Sequence, residues 1–197
     1  MMGYLDDTSR NNLFINDNSA NPAPLGLCAF GMTTLLLSFH NVGITALTST
    51  IFAMALLYGG LAQVIVGTME WRKSNTFGLL TFGSFGFFWI TFATLLILPT
   101  LGLAKAPGPI EMALFLGVWD ILAIGLFICS LKMDKVLQIT LLALVVTFIL
   151  LMAAQITASS TILTLGGAVG IITGALALYL GLGQVINEVY GRKVVPV

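Results

Sequence analysis

Apolar residues occur along this chain in long blocks that short polar breaks separate. Six blocks approach the length of about 20 residues that a helix needs to cross a bilayer, and they cover residues 24–42, 46–69, 76–99, 110–131, 135–157 and 161–187. The breaks carry polar residues, glycine or proline, and the longest runs from Pro99 to Pro109. The pattern predicts an all-α, polytopic membrane protein in which six transmembrane helices form a bundle.

The same pattern divides the chain into three parts. Residues 1–20 are predicted to be a flexible polar tail, residues 21–190 the six-helix transmembrane domain, and residues 191–197 a short C-terminal tail. Lys and Arg orient the bundle, because they concentrate in cytoplasmic loops. Lys105 alone falls in an outer loop, whereas the inner segments contain Arg10, Arg72, Lys73, Lys132, Lys135, Arg192 and Lys193. We therefore expect a multi-pass protein of the cytoplasmic membrane with both termini in the cytoplasm.

Composition agrees with a membrane setting and argues against several partners. Charged residues make up 8% of the chain and hydrophobic residues 58%, whereas soluble domains carry about 25% charged residues. The formal net charge is zero and no basic tract occurs, so nucleic acid is not an expected partner. The sequence contains no metal-binding cluster, phosphate loop or nucleophile–base pair, so we expect no cofactor, no metal and no enzyme activity.

Weakly polar residues recur at helical spacing within the apolar blocks. The first block carries Thr33, Thr34, His40 and Asn41, the second Gln63, the third Thr81, the fifth Thr140, Thr147 and Gln155, and the sixth Gly166, Gly170 and Gly174. Polar side chains are costly in lipid, so these faces should meet other helices or water. Hydrogen bonds between helices are one interpretation, and a pore is the other. Because no Lys or Arg lies inside a block, such a pore fits a small, weakly held anion or its neutral acid.

Two ionisable residues lie within the predicted spans. Asp120 is near the middle of the fourth span, where a carboxyl group is a candidate proton acceptor. His40 is near the outer end of the first span and is a candidate pH sensor. The alternatives are a structural hydrogen bond or subunit contact for Asp120, and a neutral, hydrogen-bonded structural role for His40.

Several short motifs follow one another along most of the chain. They are Asn21–Leu27, Gly31–Thr34, His40–Gly43, Tyr58–Gln63, Asn75–Leu79 and Asn187–Arg192. In this order they resemble the acetate uptake transporter family. The resemblance implies a homo-oligomer, a hexamer in that family, in which each protomer has its own path for acetate. It also implies a hydrophobic constriction formed by Phe30, Phe85 and Leu144. The chain departs from the family pattern at Phe85, where a tyrosine is expected, and at Asp120, where a small residue is expected.

The first motif also suggests a physical role. Pro22 and Pro24 prevent the first helix from extending upstream, and Asn21 can cap its start. We expect an abrupt helix start whose free N–H groups and positive dipole end attract a carboxylate at the inner mouth. The alternative is that the motif only caps the helix and packs the N-terminal region.

The residues and the resemblance together lead to acetate transport, with succinate as a second candidate substrate. The constriction is assigned to Phe30, Phe85 and Leu144, and the substrate contacts to Asn21, Leu25, Thr33, Thr34, Asn41, Gln63, Thr147 and Gln155. Two other functions stay open. One is a channel for a neutral solute such as ammonia or urea, and the other is a membrane sensor of pH or acid that transports nothing.

Overall fold

The computed structural model describes residues 19–197. These residues form six long helices: α1 (Ala23–Asn41), α2 (Ser49–Arg72), α3 (Thr76–Thr100), α4 (Pro109–Ser130), α5 (Lys135–Thr157) and α6 (Ser160–Tyr190). All six are long and apolar enough to cross a membrane, and the described residues contain no strand. The predicted all-α fold with six spans is therefore confirmed. Residues 1–18 of the predicted flexible tail lie outside the described residues.

Polar side chains at the breaks explain where three of the helices begin. The side chain of Asn75 accepts a hydrogen bond from the Gly78 N–H at 3.0 Å, at the start of α3. Asp134 does the same for the Val136 N–H at 2.7 Å, at the start of α5, and Ser159 caps α6. Each cap gives a partner to a backbone donor that the first turn of a helix leaves unpaired.

Helix α2 is irregular in its middle. Met54–Ala62 form a π-helix, and α-helical turns lie before and after it. A π-helical segment widens the turn and is often found at functional sites. Here it contains Gly59, and its end is followed at once by Gln63, whose side chain is fully buried. The hydrophobic pattern of the sequence did not predict this segment.

The helices close into a ring around a shared interior. In order around the ring, α1 packs against α2, α2 against α3, α3 against α4, α4 against α5, α5 against α6, and α6 against α1. The backbones of α1 and α6 approach each other very closely. A Cβ atom at Gly174 would lie only 2.7 Å from the Gly31 carbonyl oxygen. Small residues allow this approach between helices in a membrane. The ring leaves one face of each helix toward the interior.

The last residues fold back along α6. We call residues 194–197 the strap. The Asn187 side chain holds it by accepting from the N–H groups of Val194 and Val195 at 2.7 and 2.8 Å, and by donating to the Val195 carbonyl at 2.8 Å. Val197 packs against a hydrophobic cluster that includes Leu27 and Leu180. The strap therefore covers part of the bundle at the end where α1 begins.

Candidate transport pathway

Three cavities follow one another through the interior of the ring. We call the end of the bundle where α1 begins the inner end. The inner cavity, of about 30 Å³, lies beside Gln63. The middle cavity, of about 40 Å³, lies beside Thr147, and the outer cavity, of about 200 Å³, lies beside Gln155. Neighbouring cavities share lining residues, so together they trace one path.

The inner and middle cavities meet at an apolar neck. Phe30 and Leu144 line both of these cavities, and Phe85 lines the inner one. The Phe30 and Phe85 rings have centroids 5.7 Å apart and are tilted by 49°, and all three side chains are buried. Helices α1, α3 and α5 each contribute one of them. The structure thus brings together the three residues that the family resemblance assigned to the constriction.

Hydroxyl groups lie on the outer side of the neck. Thr34 and Thr147 line the middle cavity. The Thr34 hydroxyl donates to the Phe30 carbonyl at 2.7 Å, and the Thr147 hydroxyl donates to the Ala143 carbonyl at 2.8 Å. Since a hydroxyl has one proton and two lone pairs, both groups keep lone pairs for a further partner. Thr147 also lies 3.3 Å from the hydroxyl of Thr173 on α6.

A buried amide lies on the inner side of the neck. Gln63 lines the inner cavity, and its Nε2 donates to the Gly59 carbonyl at 2.6 Å. Its Oε1 is buried and has no hydrogen-bond partner among the described residues. Thr140 lines the same cavity and donates to the Val136 carbonyl at 2.7 Å. The wall of the inner cavity therefore contains a buried acceptor oxygen that has no partner among the described residues.

The outer cavity is wider and carries the remaining polar candidates. His40, Asn41 and Gln155 line it, and Asn41 also lines the middle cavity. The His40 Nδ1 lies 3.0 Å from the Thr45 carbonyl, and since a carbonyl only accepts, Nδ1 carries the proton. This leaves Nε2 of His40 as the ring nitrogen without a fixed role.

Four of the predicted site residues line none of the three cavities. Thr33 is fully buried, donates to the Ala29 carbonyl at 2.8 Å, and packs where Gly59 of α2 approaches α1. Asn21 and Leu25 line a separate groove with Glu188 of α6. Asp120 lies in an apolar groove between α4 and α5. The structure therefore does not bring these four residues together with the neck.

The first turn of α1 differs from the expectation of free N–H groups. The Ala23 N–H donates to Asn21 Oδ1 at 3.1 Å, and the Leu25 N–H donates to the Pro22 carbonyl at 3.1 Å. Pro24 has no N–H, and the Gly26 N–H also points to the Pro22 carbonyl at 3.5 Å. The hypothesis of a free anion site at these donors is wrong, because Asn21 and Pro22 already occupy them. Asn21 binds the Ala23 N–H through its side chain, but Pro22 and not Asn21 occupies the N-cap position of α1.

Two pathway residues whose polar atoms are buried without a partner among the described residues were not among the predicted sites. Thr81 lines the inner cavity, and Trp89 lines the middle cavity. The Thr81 hydroxyl and the Trp89 indole nitrogen are buried without a hydrogen-bond partner among the described residues. Thr81 was visible on a helical face with Phe85 and Phe88, whereas no signal in the sequence distinguishes Trp89 from a packing residue.

The pathway carries few groups that hold ions tightly. The residues that line the three cavities include no Lys, Arg, Asp or Glu. Across residues 19–197, no three His, Cys, Asp or Glu side chains gather in a group that could hold a metal ion. The arrangement is therefore a narrow, uncharged path with hydroxyl and amide groups on both sides of an apolar neck.

Comparison with known proteins identifies the family. A profile described as the GPR1/FUN34/yaaH family matches residues 8–195. The succinate-acetate/proton symporter SatP of Escherichia coli is 46% identical over 182 residues, which are 92% of this chain and 97% of that protein. The solved structure of the bacterial acetate channel SatP has a TM-score of 0.90 and 46% identity, and the match covers 91% of this chain and 99% of that one.

A more distant relative has a different name. The ammonia transport outward protein 2 of Saccharomyces cerevisiae is 35% identical over 168 residues, which are 81% of this chain and 59% of that protein. The resemblance of the chain to the acetate uptake transporter family is confirmed by these matches taken together.

Proposed function

Because the chain belongs to the GPR1/FUN34/yaaH family, we propose that it transports acetate across the cytoplasmic membrane, with succinate as a second substrate. Each protomer has its own pore. The observation that carries this proposal is the neck of Phe30, Phe85 and Leu144. It separates two small cavities, and each of these is lined by hydroxyl or amide groups.

The chemistry of acetate suits this arrangement. Its methyl group can pass an apolar neck with little cost, whereas its carboxyl group needs hydrogen-bond partners before and after the neck. The proposal assigns these contacts to Thr34 and Thr147 on the outer side, to Gln63 on the inner side, and to Asn41 and Gln155 in the outer cavity. Thr34, Thr147 and Gln63 Oε1 offer acceptor oxygens, which pair with the O–H of the protonated acid. Without a Lys or Arg in the pore, binding is weak, and weak binding favours release and flux.

The remaining predicted residues have other places in this proposal. Asn21 and Leu25 belong to the inner inlet beside α1, and Thr33 belongs to the packing of α1 against α2. His40 is the proton-linked candidate in the pore, because it lines the outer cavity. Asp120 lies in another groove, so a proton-linked role for it has to act from outside the three cavities.

The proposal includes the surroundings of the protomer. An even number of spans supports a location of both ends of the described chain on one side of the membrane, and the distribution of Lys and Arg supports the cytoplasm as that side. The family resemblance supports a homo-oligomer, with a hexamer as the expected form. The lipid bilayer and small carboxylates are the expected partners, and no enzyme activity is proposed.

A second candidate function is a channel for a neutral solute. The uncharged lining of the three cavities favours it, and one relative is named for ammonia transport. Competition distinguishes the two functions. Acetate that neither permeates nor slows the flux of ammonia or urea would support the neutral-solute channel.

The experiment that tests the main proposal uses purified protein in liposomes and in a planar bilayer. Uptake of labelled acetate must depend on the protein. An acetate gradient at equal pH, with an impermeant counter-anion, then shows how charge moves. A current that reverses near the acetate equilibrium potential indicates an anion channel, and acetate flux without current indicates electroneutral coupling to protons. Absence of acetate flux in both systems would refute the proposal.

A further inference from the structure

Two buried hydrogen-bond donors on opposite sides of the neck have no partner within residues 19–197. Thr81, on the inner side, is 8% exposed, and Trp89, on the outer side, is 2% exposed. Neither the Thr81 hydroxyl nor the Trp89 Nε1 has a hydrogen-bond partner among the described residues. Buried polar groups normally have partners, so these two donors are candidates to bind what passes through the pore.

The three other threonine hydroxyls of the inner and middle cavities differ from that of Thr81. Thr34, Thr140 and Thr147 each donate their only proton to a carbonyl of their own helix. They offer lone pairs to the cavity and no proton. A carboxylate has only acceptor oxygens, so these three hydroxyls cannot donate to it without first breaking a helix contact. Unlike these three threonines, Thr81 and Trp89 have buried donors that no described residue engages.

Aromatic contacts hold the Trp89 indole in place. The centroid of its ring lies 5.3 Å from the ring centroid of Phe88 and 6.3 Å from that of Phe92, and both contacts are edge-on. A donor that packing holds in position loses little freedom when it binds a ligand. Trp89 and Phe30 line the same middle cavity, which puts the indole beside the outer face of the neck.

We infer that Trp89 and Thr81 bind the carboxyl group of the substrate in turn, on the outer and the inner side of the neck, and that they make the pore selective for carboxylates. This inference rests on the proposed function. The Trp89 N–H donates to a carboxyl oxygen in the middle cavity, and the Thr81 hydroxyl donates to one in the inner cavity. The methyl group lies against the neck between the two positions.

The inner position has a second feature. Gln63 and Thr81 line the same inner cavity, and the Gln63 Oε1 is an acceptor without a partner among the described residues. A donor and an acceptor in one cavity match a water molecule or a protonated carboxyl group. The middle cavity, with the Trp89 donor, suits either form of the acid.

Isosteric variants test this inference. Trp89→Phe keeps an aromatic ring and removes the N–H, and Thr81→Val keeps the shape and removes the hydroxyl. Trp119→Phe is the control for tryptophan, because Trp119 contacts the same Phe88 ring at 5.3 Å but lines none of the three cavities. Thr94→Val is the control for threonine, because Thr94 donates to the Ile90 carbonyl on the same helix.

The measurement is the initial rate of labelled acetate uptake into liposomes over a range of acetate concentrations. We expect Trp89→Phe and Thr81→Val each to raise the half-saturating acetate concentration roughly tenfold or more, the size expected for one hydrogen bond to a charged group. Thr81→Ser should restore the wild-type value, since it restores the hydroxyl. Both control variants should have the half-saturating acetate concentration of the wild type.

The outcomes separate this inference from the proposed function. Wild-type protein that moves no acetate would refute the proposed function itself. Wild-type protein that moves acetate, with an unchanged half-saturating concentration in Trp89→Phe and Thr81→Val, would refute the donor roles and leave transport standing. A lower maximal rate at an unchanged half-saturating concentration indicates fewer folded molecules, and it also counts against the donor roles.

Discussion

The Phe30 ring on α1 and the Phe85 ring on α3 meet with their centroids 5.7 Å apart, at an angle of 49°. Leu144 of α5 lines the inner cavity together with these two rings. These side chains are buried in the interior of a bundle whose lipid-facing surface is apolar as well. The neck between the inner and the middle cavity is therefore apolar, and three side chains from three helices form it.

Truncation of the neck should change which carboxylates pass. Phe30→Ala or Leu144→Ala removes one wall between the inner and the middle cavity, so we expect the rate for succinate relative to acetate to rise severalfold. Competition of succinate with labelled acetate in liposomes measures this ratio. Phe115→Ala is the control. It removes a ring that stacks on Phe88, with the two ring centroids 5.8 Å apart. Phe115 does not belong to the neck. An unchanged ratio in both neck variants would contradict the assignment.

Asp120 should be dispensable for the chemistry of the pore. It lies in the groove between α4 and α5 with Gly117 and Met152, and not in the three cavities. Asp120→Asn keeps the size and a hydrogen-bonding group and removes the ability to ionise. We expect acetate uptake and its pH dependence to stay within about twofold of wild type. Loss of the pH dependence in Asp120→Asn, with normal folding, would instead support the proton-linked role.

The contact between α1 and α6 should tolerate no side chain at Gly174. A Cβ atom there would lie 2.7 Å from the Gly31 carbonyl oxygen and 3.0 Å from the Leu35 nitrogen, and backbone atoms cannot move aside cheaply. We expect Gly174→Ala to lower the free energy of unfolding by about 1–3 kcal/mol, as overpacked cores do. Thermal unfolding in detergent measures the loss. Gly125→Ala should not lower stability, because a Cβ atom at Gly125 meets nothing within 4 Å.

Much of the fold could be predicted from the sequence, because long apolar blocks leave a membrane chain few choices other than helices. The positions of side chains around each helix were harder to predict. Thr33 and Thr34 are neighbours in the first apolar block, yet Thr34 lines the middle cavity and Thr33 faces Gly59 of α2. One residue rotates a helix by about 100°, so only the packing partners decide which of the two reaches the path.

Some features of the site have no signal in a single sequence. The π-helix Met54–Ala62 precedes Gln63, and nothing in its apolar residues separates it from a regular helix. Trp89 resembles an ordinary packing residue until its N–H is found without a partner. Pro22 occupies the N-cap position of the first helix, and hydrogen bonds to its carbonyl and to the Asn21 side chain close the anion site that Pro22 and Pro24 had suggested. Such details depend on the hydrogen-bond partners of each polar atom, and these are visible only in the three-dimensional structure.

The strap should depend on Asn187 and Gly183 for its position. The Asn187 side chain makes three hydrogen bonds to the backbone of the strap. A Cβ atom at Gly183 would lie 2.8 Å from Cγ1 of Val197, a separation compatible with the Cβ–Cβ distance of about 3.5–4.5 Å that a disulfide requires. The double variant Gly183→Cys, Val197→Cys should therefore form a disulfide under mild oxidation.

The native cysteines Cys28 and Cys129 are first replaced by serine, so that no other thiol competes. Mass spectrometry of the linked peptides measures the fraction cross-linked. Adding Asn187→Ala should reduce that fraction severalfold, because the strap loses the three hydrogen bonds that hold it beside α6. Gln138→Ala, which removes a side chain at the start of α5, serves as the control and should leave the fraction unchanged. Equal cross-linking with and without Asn187 would mean that packing of Val197 against the cluster of Leu27 and Leu180 holds the strap by itself.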